Sequence, residues 1–183
     1  MRNLLVALLC TLAGPALATG LDIQVAGEGA NGTVHVELLD DVAPGHVQRI
    51  AELAREGAYD DVVFHRVIDG FMAQTGDVEF GKFGMDMRRA GTGGSTRPDL
   101  KAEFSDVPFD RGAVGMARSA NPDSANSQFF IMFAPAPHLN GQYTVVGRVT
   151  KGMDVVDAIK RGSGRNGEVT GQPDRMVKVS VTD

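Results

Sequence analysis

The sequence predicts a mainly β fold, an antiparallel barrel or sandwich with only two helices. Three observations support this prediction. Short segments of alternating or apolar residues recur along the chain, turns rich in Gly, Pro and Asn separate them, and only two stretches carry apolar residues at helix spacing. Closing such a sheet into a barrel would also remove exposed strand edges. The sequence shows no internal repeat and no second domain.

The first predicted elements are a hairpin and a helix. Residues 21–25 and 33–38 both alternate, and Asn31-Gly32, a favoured turn pair, lies between them. The helix begins at Pro44 and ends at Gly57, because Pro is common in the first helical turn and Gly just beyond the last. Its apolar residues recur at helix spacing and are Val47, Ile50, Ala51 and Ala54.

The remaining predicted elements are a second helix, a surface loop and six further strands. A second helix is predicted over residues 153–160, with Gly162 as its stop. Residues 78–100 show the weakest pattern, and we expect the segment 80–89 to be a surface loop whose Phe and Met side chains pack on the sheet. The further strands are predicted at 62–68, 71–75, 112–117, 128–133, 143–149 and 176–181.

The first 18 residues have the features of a secretory signal peptide. Arg2 supplies a short positive region, residues 4–12 form a mostly apolar region, and Ala16-Leu17-Ala18 is a small-residue cleavage site. The apolar run is too short for a membrane-spanning helix. Cleavage after Ala18 would leave residues 19–183, one domain of 165 residues, and would remove Cys10, the only cysteine. We therefore expect an exported protein, periplasmic or secreted, that folds without disulfides.

The charge balance argues against one large class of partners. The formal net charge of the whole chain is −5, and it becomes −6 when Arg2 leaves with the signal. Nucleic-acid-binding domains carry a basic stripe, so we expect no nucleic-acid partner. No other stretch is long and apolar enough to span a membrane, so we expect no membrane insertion after cleavage. Nothing in the sequence indicates more than a monomer.

The most informative segment is residues 64–77, FHRVIDGFMAQTGD. If the strand alternates, Arg66 shares a face with Val62, Phe64 and Ile68. A guanidinium cannot lose its charge, so in mostly apolar surroundings it needs a partner or a function. The segment therefore predicts either a structural ion pair or a site that grips and polarises a substrate.

The sequence is compatible with a structural and with a functional role for Arg66. The structural one pairs it with Asp69 or Asp77, whereas the functional one leaves it free for a substrate. A second segment combines an amide with aromatic rings and contains Phe129 and Phe130. Because successive strand residues face opposite ways, one of these rings can lie in the core while the other lines a pocket.

No metal-binding or covalent chemistry accompanies these segments. None of the four histidines stands at ligand spacing from another His or a Cys, and neither a G-x-S-x-G nor an S-x-x-K motif is present. Residues 27–32 fit the spacing G-x-G-x-x-G, but a strand follows them instead of the helix that a dinucleotide site requires. We expect His46 to be solvated and His65 to have a hydrogen-bonded structural role.

Several ordered motifs resemble those of the cyclophilins, a family of peptidyl-prolyl cis-trans isomerases. They are residues 64–77, 91–94 (GTGG), 115–118 (GMAR), 127–131 (SQFFI), 146–149 (VGRV) and 152–156 (GMDVV). The resemblance covers essentially the whole mature chain. It implies a closed eight-stranded antiparallel barrel capped by two α-helices. It also implies an enzyme without cofactor or metal that rotates Xaa-Pro bonds in unfolded or partly folded proteins and peptides, and so assists folding.

The resemblance assigns roles to individual residues. Arg66 would be the catalytic residue. Twisting an amide costs roughly 18–20 kcal/mol and restores the nitrogen lone pair, so a guanidinium donor would bind the twisted form better than the planar one. The implied substrate-binding residues are Phe71, Met72, Phe130 and Leu139 around the proline ring, Gln74, Ala117 and Arg118 along the flanking peptide, Gln128 in support, and Gly91 on the groove wall.

The chain departs from the family pattern at a few positions. His138 stands where many members have a pocket tryptophan, Tyr143 where many have a histidine, and Arg118 where Asn is common. We include His138 and Tyr143 among the substrate-binding residues. Because the macrocycle cyclosporin typically relies on that tryptophan, we expect it to bind weakly. The segment 80–89 looks longer than in exported bacterial members and is a candidate for extending the groove.

Two other functions stay open at this stage. A non-catalytic relative could bind Pro-containing segments as a chaperone, although Arg66 and the pocket residues are all retained. An unrelated exported hydrolase would need a nucleophile motif that the sequence lacks. The sequence therefore predicts an exported peptidyl-prolyl isomerase.

Overall fold

Nine antiparallel strands form one curled sheet in the structure, a computed structural model that describes residues 19–163 and 166–182. The signal peptide predicted for residues 1–18 lies outside the described residues. The sheet order is β3-β9-β1-β2-β8-β6-β7-β5-β4. The strands are β1 (Gly20–Ala26), β2 (Gly32–Leu38), β3 (Val62–Val63), β4 (Arg66–Ile68), β5 (Met72–Thr75), β6 (Ala113–Met116), β7 (Phe129–Met132), β8 (Val145–Lys151) and β9 (Arg175–Thr182).

The mainly β class with two helices is confirmed, but the closed eight-stranded barrel was wrong in strand number and in closure. Residues 62–68, expected as one strand, form β3 and β4, which are the two edges of the sheet and pair with β9 and β5. Around the break, Phe64 N donates to Asp174 O (2.9 Å) and Val67 N to Gly167 O (2.7 Å). Because loop carbonyls take these donors, no ladder joins β3 to β4 within the described residues.

Two apolar clusters lie on opposite faces of the sheet. Phe129 belongs to the larger one and Phe130 to the smaller one, as expected for successive strand positions. The inner cluster, which fills the curled sheet, includes Leu21, Ile23, Val34, Val36, Ile50, Leu53, Phe64 and Phe129. The outer cluster consists of Met72, Phe109, Ala113, Phe130, Met132, Ala136, Leu139 and Val145.

The expected alternation around Arg66 is only partly present. Val62, Phe64 and Val67 lie in the inner cluster, whereas Ile68 packs against the outer one and Arg66 is half-buried. The prediction that Val62, Phe64, Arg66 and Ile68 share a face was therefore wrong. The physical reason is the break between β3 and β4, which reverses the alternation and directs Arg66 away from the core.

The two helices are α1 (Pro44–Arg55) and α2 (Met153–Asp157). The start of α1 at Pro44 confirms the prediction, and its four expected apolar residues are all buried as it packs against β9. Helix α2 packs against β2 and is shorter than the predicted range of 153–160. Neither helix of residues 19–163 and 166–182 has the length and apolarity that a membrane span requires.

His46 is buried, so the expectation that it is solvated was wrong. Its Nδ1 lies 2.6 Å from Glu103 Oε2. The same carboxylate accepts hydrogen bonds from the main-chain N–H groups of Gly45 (3.1 Å) and His46 (3.0 Å). Glu103 therefore caps the N-terminus of α1 from a distant loop, where these N–H groups have no partner inside the helix.

The segment 78–90 forms a surface loop. Phe83 lies beneath the guanidinium of Arg175, 4.0 Å from ring centroid to Cζ, while 37% of the residue is exposed. Met85 is 48% exposed. The expected packing of these side chains on the sheet is thus partly present for Phe83 and was wrong for Met85.

Candidate active site

A cavity of about 160 Å³ lies beside β4, β5 and β7, on the side of the outer cluster. We call it the aromatic cavity. Every residue that lines it is one that the sequence predicted for the site. They are Arg66, Phe71, Met72, Gln74, Ala117, Arg118, Phe130, Leu139 and Tyr143.

The floor of the aromatic cavity depends on a glycine behind it. The ring of Phe130 stacks on Phe109, with centroids 5.7 Å apart, and meets Tyr143 edge-on at 5.9 Å. A Cβ at Gly115 would lie 2.5 Å from Phe109 Cε1 and 2.6 Å from Phe130 Cζ. Only glycine lets these two rings approach β6 so closely, which places Phe130 at the cavity.

Arg66 reaches the cavity from β4, directly opposite Gln74 on β5. Its Nε donates to Asn166 O (2.9 Å) and its Nη1 donates to Gln74 Oε1 (3.0 Å), while Nη1 lies 4.0 Å from Met72 Sδ. Burial lowers the pKa of the guanidinium from its ordinary value. Arginine nevertheless stays protonated in proteins, so a permanent cation stands at the cavity wall.

The structural ion pair considered for Arg66 is absent from the described residues. Asp69 pairs instead with Arg161, whose Nε lies 2.9 Å from Oδ1. Asp77 is fully buried and accepts hydrogen bonds from main-chain N–H groups. Arg66 therefore has only uncharged acceptors there, which leaves its charge uncompensated beside the aromatic cavity.

A chain of amides holds Arg66 in place. Gly93 O accepts from Gln128 Nε2 (2.8 Å), Gln128 Oε1 accepts from Gln74 Nε2 (2.9 Å), and Gln74 Oε1 then faces Arg66. A main-chain carbonyl can only accept, so Gly93 fixes the direction of the whole chain. Each side-chain amide therefore has one orientation, and the side-chain oxygen of Gln74 must face the guanidinium.

A second cavity of about 330 Å³ adjoins the first, and we call it the side cavity. The two share Gln74, Ala117 and Arg118, and the side cavity adds Gly91 and Gln128 from the predicted residues. Gly91 has φ +93°, and a Cβ there would lie 2.9 Å from the His65 ring. Both the backbone conformation and the space therefore require glycine in this wall.

Arg118 lies between the two cavities. Its guanidinium sits over the Tyr143 ring, 4.3 Å from the centroid. Nη2 donates to Gln142 O (2.8 Å) and Nη1 donates to Ser119 O (2.9 Å). Like Arg66, Arg118 bonds only to uncharged acceptors within the described residues.

Two histidines lie near the cavities but outside their walls. His138 lines neither cavity; it is exposed and stacks on the outside of Phe71, with ring centroids 5.9 Å apart. His65 is buried behind Gly91, and neither of its ring nitrogens has a hydrogen-bond partner in the described part of the chain. The expected hydrogen-bonded role of His65 was therefore wrong. Burial lowers the pKa of His65 to about 4, so the ring is neutral near pH 7.

The sequence interpretation missed the polar wall of the side cavity. Asn126 organises that wall, because its Oδ1 accepts from Ser95 N (2.8 Å) and its Nδ2 donates to Arg97 O (3.0 Å). Position in the sequence could have indicated most of the missed residues, because they lie within two positions of a predicted site residue. The missed residues are Thr92, Gly93, Ser119, Ser124 and Asn126. No loop residue from 78 to 90 lines either cavity.

A family model and known relatives match this chain over most of its length. The family model for cyclophilin type peptidyl-prolyl cis-trans isomerase/CLD matches residues 21–181. A probable peptidyl-prolyl cis-trans isomerase of Brucella suis biovar 1 (strain 1330) is 61% identical over 153 residues, 82% of this chain and 78% of that protein. Peptidyl-prolyl cis-trans isomerase B of Bacillus subtilis (strain 168) is 40% identical over 131 residues, 70% of this chain and 84% of that protein.

Solved structures show the same fold. Cyclophilin AquaCyp293 from Hirschia baltica has a TM-score of 0.68 at 24% identity, covering 87% of this chain and 72% of that one. A Cryptosporidium parvum cyclophilin type peptidyl-prolyl cis-trans isomerase, crystallised in the presence of the dipeptide Ala-Pro, has a TM-score of 0.73 at 23% identity and covers 90% of this chain and 99% of that one. The chain belongs to the family of cyclophilin-type peptidyl-prolyl cis-trans isomerases.

Proposed function

We propose that this isomerase rotates Xaa-Pro bonds in exported proteins, with Arg66 donating a hydrogen bond to the prolyl nitrogen of the twisted bond. One observation carries the proposal. Arg66 places a permanent cation, hydrogen-bonded only to uncharged acceptors among the described residues, at the wall of an aromatic cavity. Such a group can polarise a substrate without bonding to it covalently.

The chemistry requires no acid, base or nucleophile. In the planar bond the prolyl nitrogen shares its lone pair with the carbonyl and accepts hydrogen bonds poorly. As the bond twists, the lone pair returns to the nitrogen, and the guanidinium binds this form more tightly than either planar form. Catalysis requires this preference for the transition state. No covalent bond is made or broken, and the bond relaxes to cis or trans.

The cavity supplies the fixed half of the rotating bond. A proline ring is apolar, and Phe71, Met72, Phe130 and Leu139 provide apolar walls for it. When the cavity holds the ring while the acyl side turns, binding of the ring orients the substrate for the rotation. The amide chain from Gly93 to Arg66 keeps the donor in position beforehand, so little reorganisation accompanies the reaction.

The test compares variants in a protease-coupled isomerisation assay on an Ala-Pro peptide. Arg66→Ala is expected to lower kcat/KM by about 10²–10³, the loss typical of one preorganised donor. The matched control is Arg148→Ala, because Arg148 is exposed on β8 and lines neither cavity.

Each outcome of this assay is informative. Activity that survives the Arg66 change would reject the proposed mechanism while keeping the isomerase. A wild-type protein that binds Pro-peptides without isomerising them would favour the non-catalytic chaperone instead.

We also propose that the protein acts in the periplasm as a monomer. The signal-like residues 1–18 support export, and one chain supplies all the residues lining both cavities. Fusing residues 1–18 to a reporter that is active only after export tests the first part, and light scattering of the mature protein tests the second. A cytosolic fusion or a stable dimer would contradict the corresponding part.

Cyclosporin is expected to bind weakly. His138 stacks on Phe71 outside the cavities and offers no large aromatic wall to the macrocycle. Calorimetric titration measures the affinity, and a nanomolar Kd would overturn this expectation.

A further inference from the structure

The two cavities carry positive charge only. Their lining residues include two arginines, Arg66 and Arg118, and no Asp or Glu. The carboxylate of Asp77 lies behind the side cavity, but it is fully buried and accepts the N–H groups of Gly91 and Gly93. This concentration of positive charge occurs in a chain whose formal net charge is −5.

The two arginines are placed for different tasks. Arg66 is held by Gln74 at the aromatic cavity, where the prolyl nitrogen would lie. Arg118 lines both cavities, so any peptide that passes from one to the other runs beside it. Its stacking on Tyr143 and its bonds to two main-chain carbonyls hold the guanidinium plane without neutralising it.

We propose that Arg118 selects substrates in which an Asp or Glu lies within two residues of the proline. A guanidinium that is already oriented and lacks a carboxylate partner is suited to pairing with a substrate carboxylate. This inference rests on the proposed function, because it assumes that the proline occupies the aromatic cavity.

The expected preference is modest and depends on salt. Arg118 is only partly buried, and ion pairs of this kind change an equilibrium by about two- to fivefold. A kcat/KM ratio between acidic and neutral peptides should therefore lie in that range at low ionic strength. It should approach unity near 1 M salt, where the screening length falls to about 3 Å.

The experiment uses matched peptides that differ only in Glu or Gln. Each of the two positions before and the two positions after the proline is tested in turn, at low and high salt. The measured quantity is the Glu/Gln ratio of kcat/KM for the wild-type protein, for Arg118→Gln and for Arg148→Gln. The Arg148 variant changes the net charge equally but leaves both cavities as they are.

The wild-type protein is expected to prefer Glu about two- to fivefold at one or more positions. The preference should disappear in Arg118→Gln and persist in Arg148→Gln. Equal ratios in all three proteins, or a preference that Arg148→Gln removes as well, would overturn the proposal. If the wild-type protein isomerises no peptide, the proposed function fails, and the Glu/Gln ratio of Kd from calorimetry then decides the role of Arg118 independently.

Discussion

Arg66 and Asp77, two charged side chains of the same motif, have opposite surroundings. Asp77 is fully buried, and its two oxygens accept four main-chain N–H groups at 2.7–3.1 Å. Arg66 is half-buried, has only uncharged partners in the described chain and faces a cavity. The buried anion is saturated by the backbone and organises a loop, whereas the cation keeps its charge available to a ligand.

The two groups are connected through one residue. Gly93 donates its N–H to Asp77 (3.0 Å) and accepts Gln128 through its carbonyl (2.8 Å), which begins the amide chain to Arg66. The hydrogen bonds of Asp77 and the amide chain that positions Arg66 therefore meet at Gly93. We infer from this comparison that the partners of a charged group, more than its degree of burial, separate a structural role for Asp77 from the proposed catalytic role of Arg66.

Among the changes that test this comparison, Arg66→Lys is expected to have the largest effect. Lysine keeps the positive charge but lacks the planar fork that binds Gln74 while presenting a second donor. We expect kcat/KM on an Ala-Pro peptide to fall by about 10² while the thermal midpoint stays within about 2 °C of the wild-type value. Near-normal activity in the lysine variant would mean that charge suffices and that the guanidinium geometry is not required.

Asp77→Asn reverses this pattern and should act mainly on stability. An amide offers one acceptor oxygen where the carboxylate offers two, so its NH2 group would face main-chain N–H groups that lose their acceptor. We expect the free energy of unfolding in urea to fall by about 3 kcal/mol. Asp106→Asn, at an exposed position, is the control. An unfolding curve that matches the wild type would show that the Asp77 carboxylate does not stabilise the fold.

His65→Gln tests a third ionisable group, which burial keeps neutral. Burial lowers its pKa to about 4, whereas the unfolded chain takes up a proton near pH 6.5. The unfolded state therefore binds more protons between these values, and the wild-type protein loses stability as pH falls from 6.5 toward 4. Between pH 6.5 and pH 5 this loss amounts to roughly 2 kcal/mol.

The measurement for His65 is urea unfolding at several pH values. The slope of unfolding free energy against pH should flatten in His65→Gln and persist in His138→Gln, whose histidine is exposed. Equal slopes in all three proteins would show that His65 has the same pKa in the folded state as in the unfolded state.

Gln128→Leu is expected to have the smallest effect and tests the link between the two regions. Without Gln128 the amide of Gln74 is free to turn its NH2 group toward Arg66, and the donor loses its fixed position. We expect kcat/KM to fall by about tenfold, and much less in the Arg66→Ala background, because the two residues act as one unit. Gln48→Leu, on the exposed face of α1, is the control. Equal losses in both backgrounds would disprove the link.

Much of the fold was predictable from local patterns. The hairpin of β1 and β2 around Asn31-Gly32 and the start of α1 at Pro44 are confirmed. The single strand predicted over 62–68 failed because the main-chain groups there bond to Gly167 and Asp174, about 100 residues away. The prediction that His46 is solvated failed for the same reason, since its partner Glu103 lies on a distant loop. Local periodicity contains no information about such partners.

The sequence alone determined the family and which residue types gather at the site, because ordered motifs placed Arg66, Gln74 and Phe130 in it. Only the tertiary structure decided how these groups are oriented and which charges stay uncompensated. It shows that the Gly93 carbonyl fixes the orientation of each side-chain amide in the chain, and that Arg118 lies between two cavities. Strand period and turn chemistry are properties of a few neighbouring residues, whereas hydrogen-bond direction and uncompensated charge depend on groups that only folding brings together.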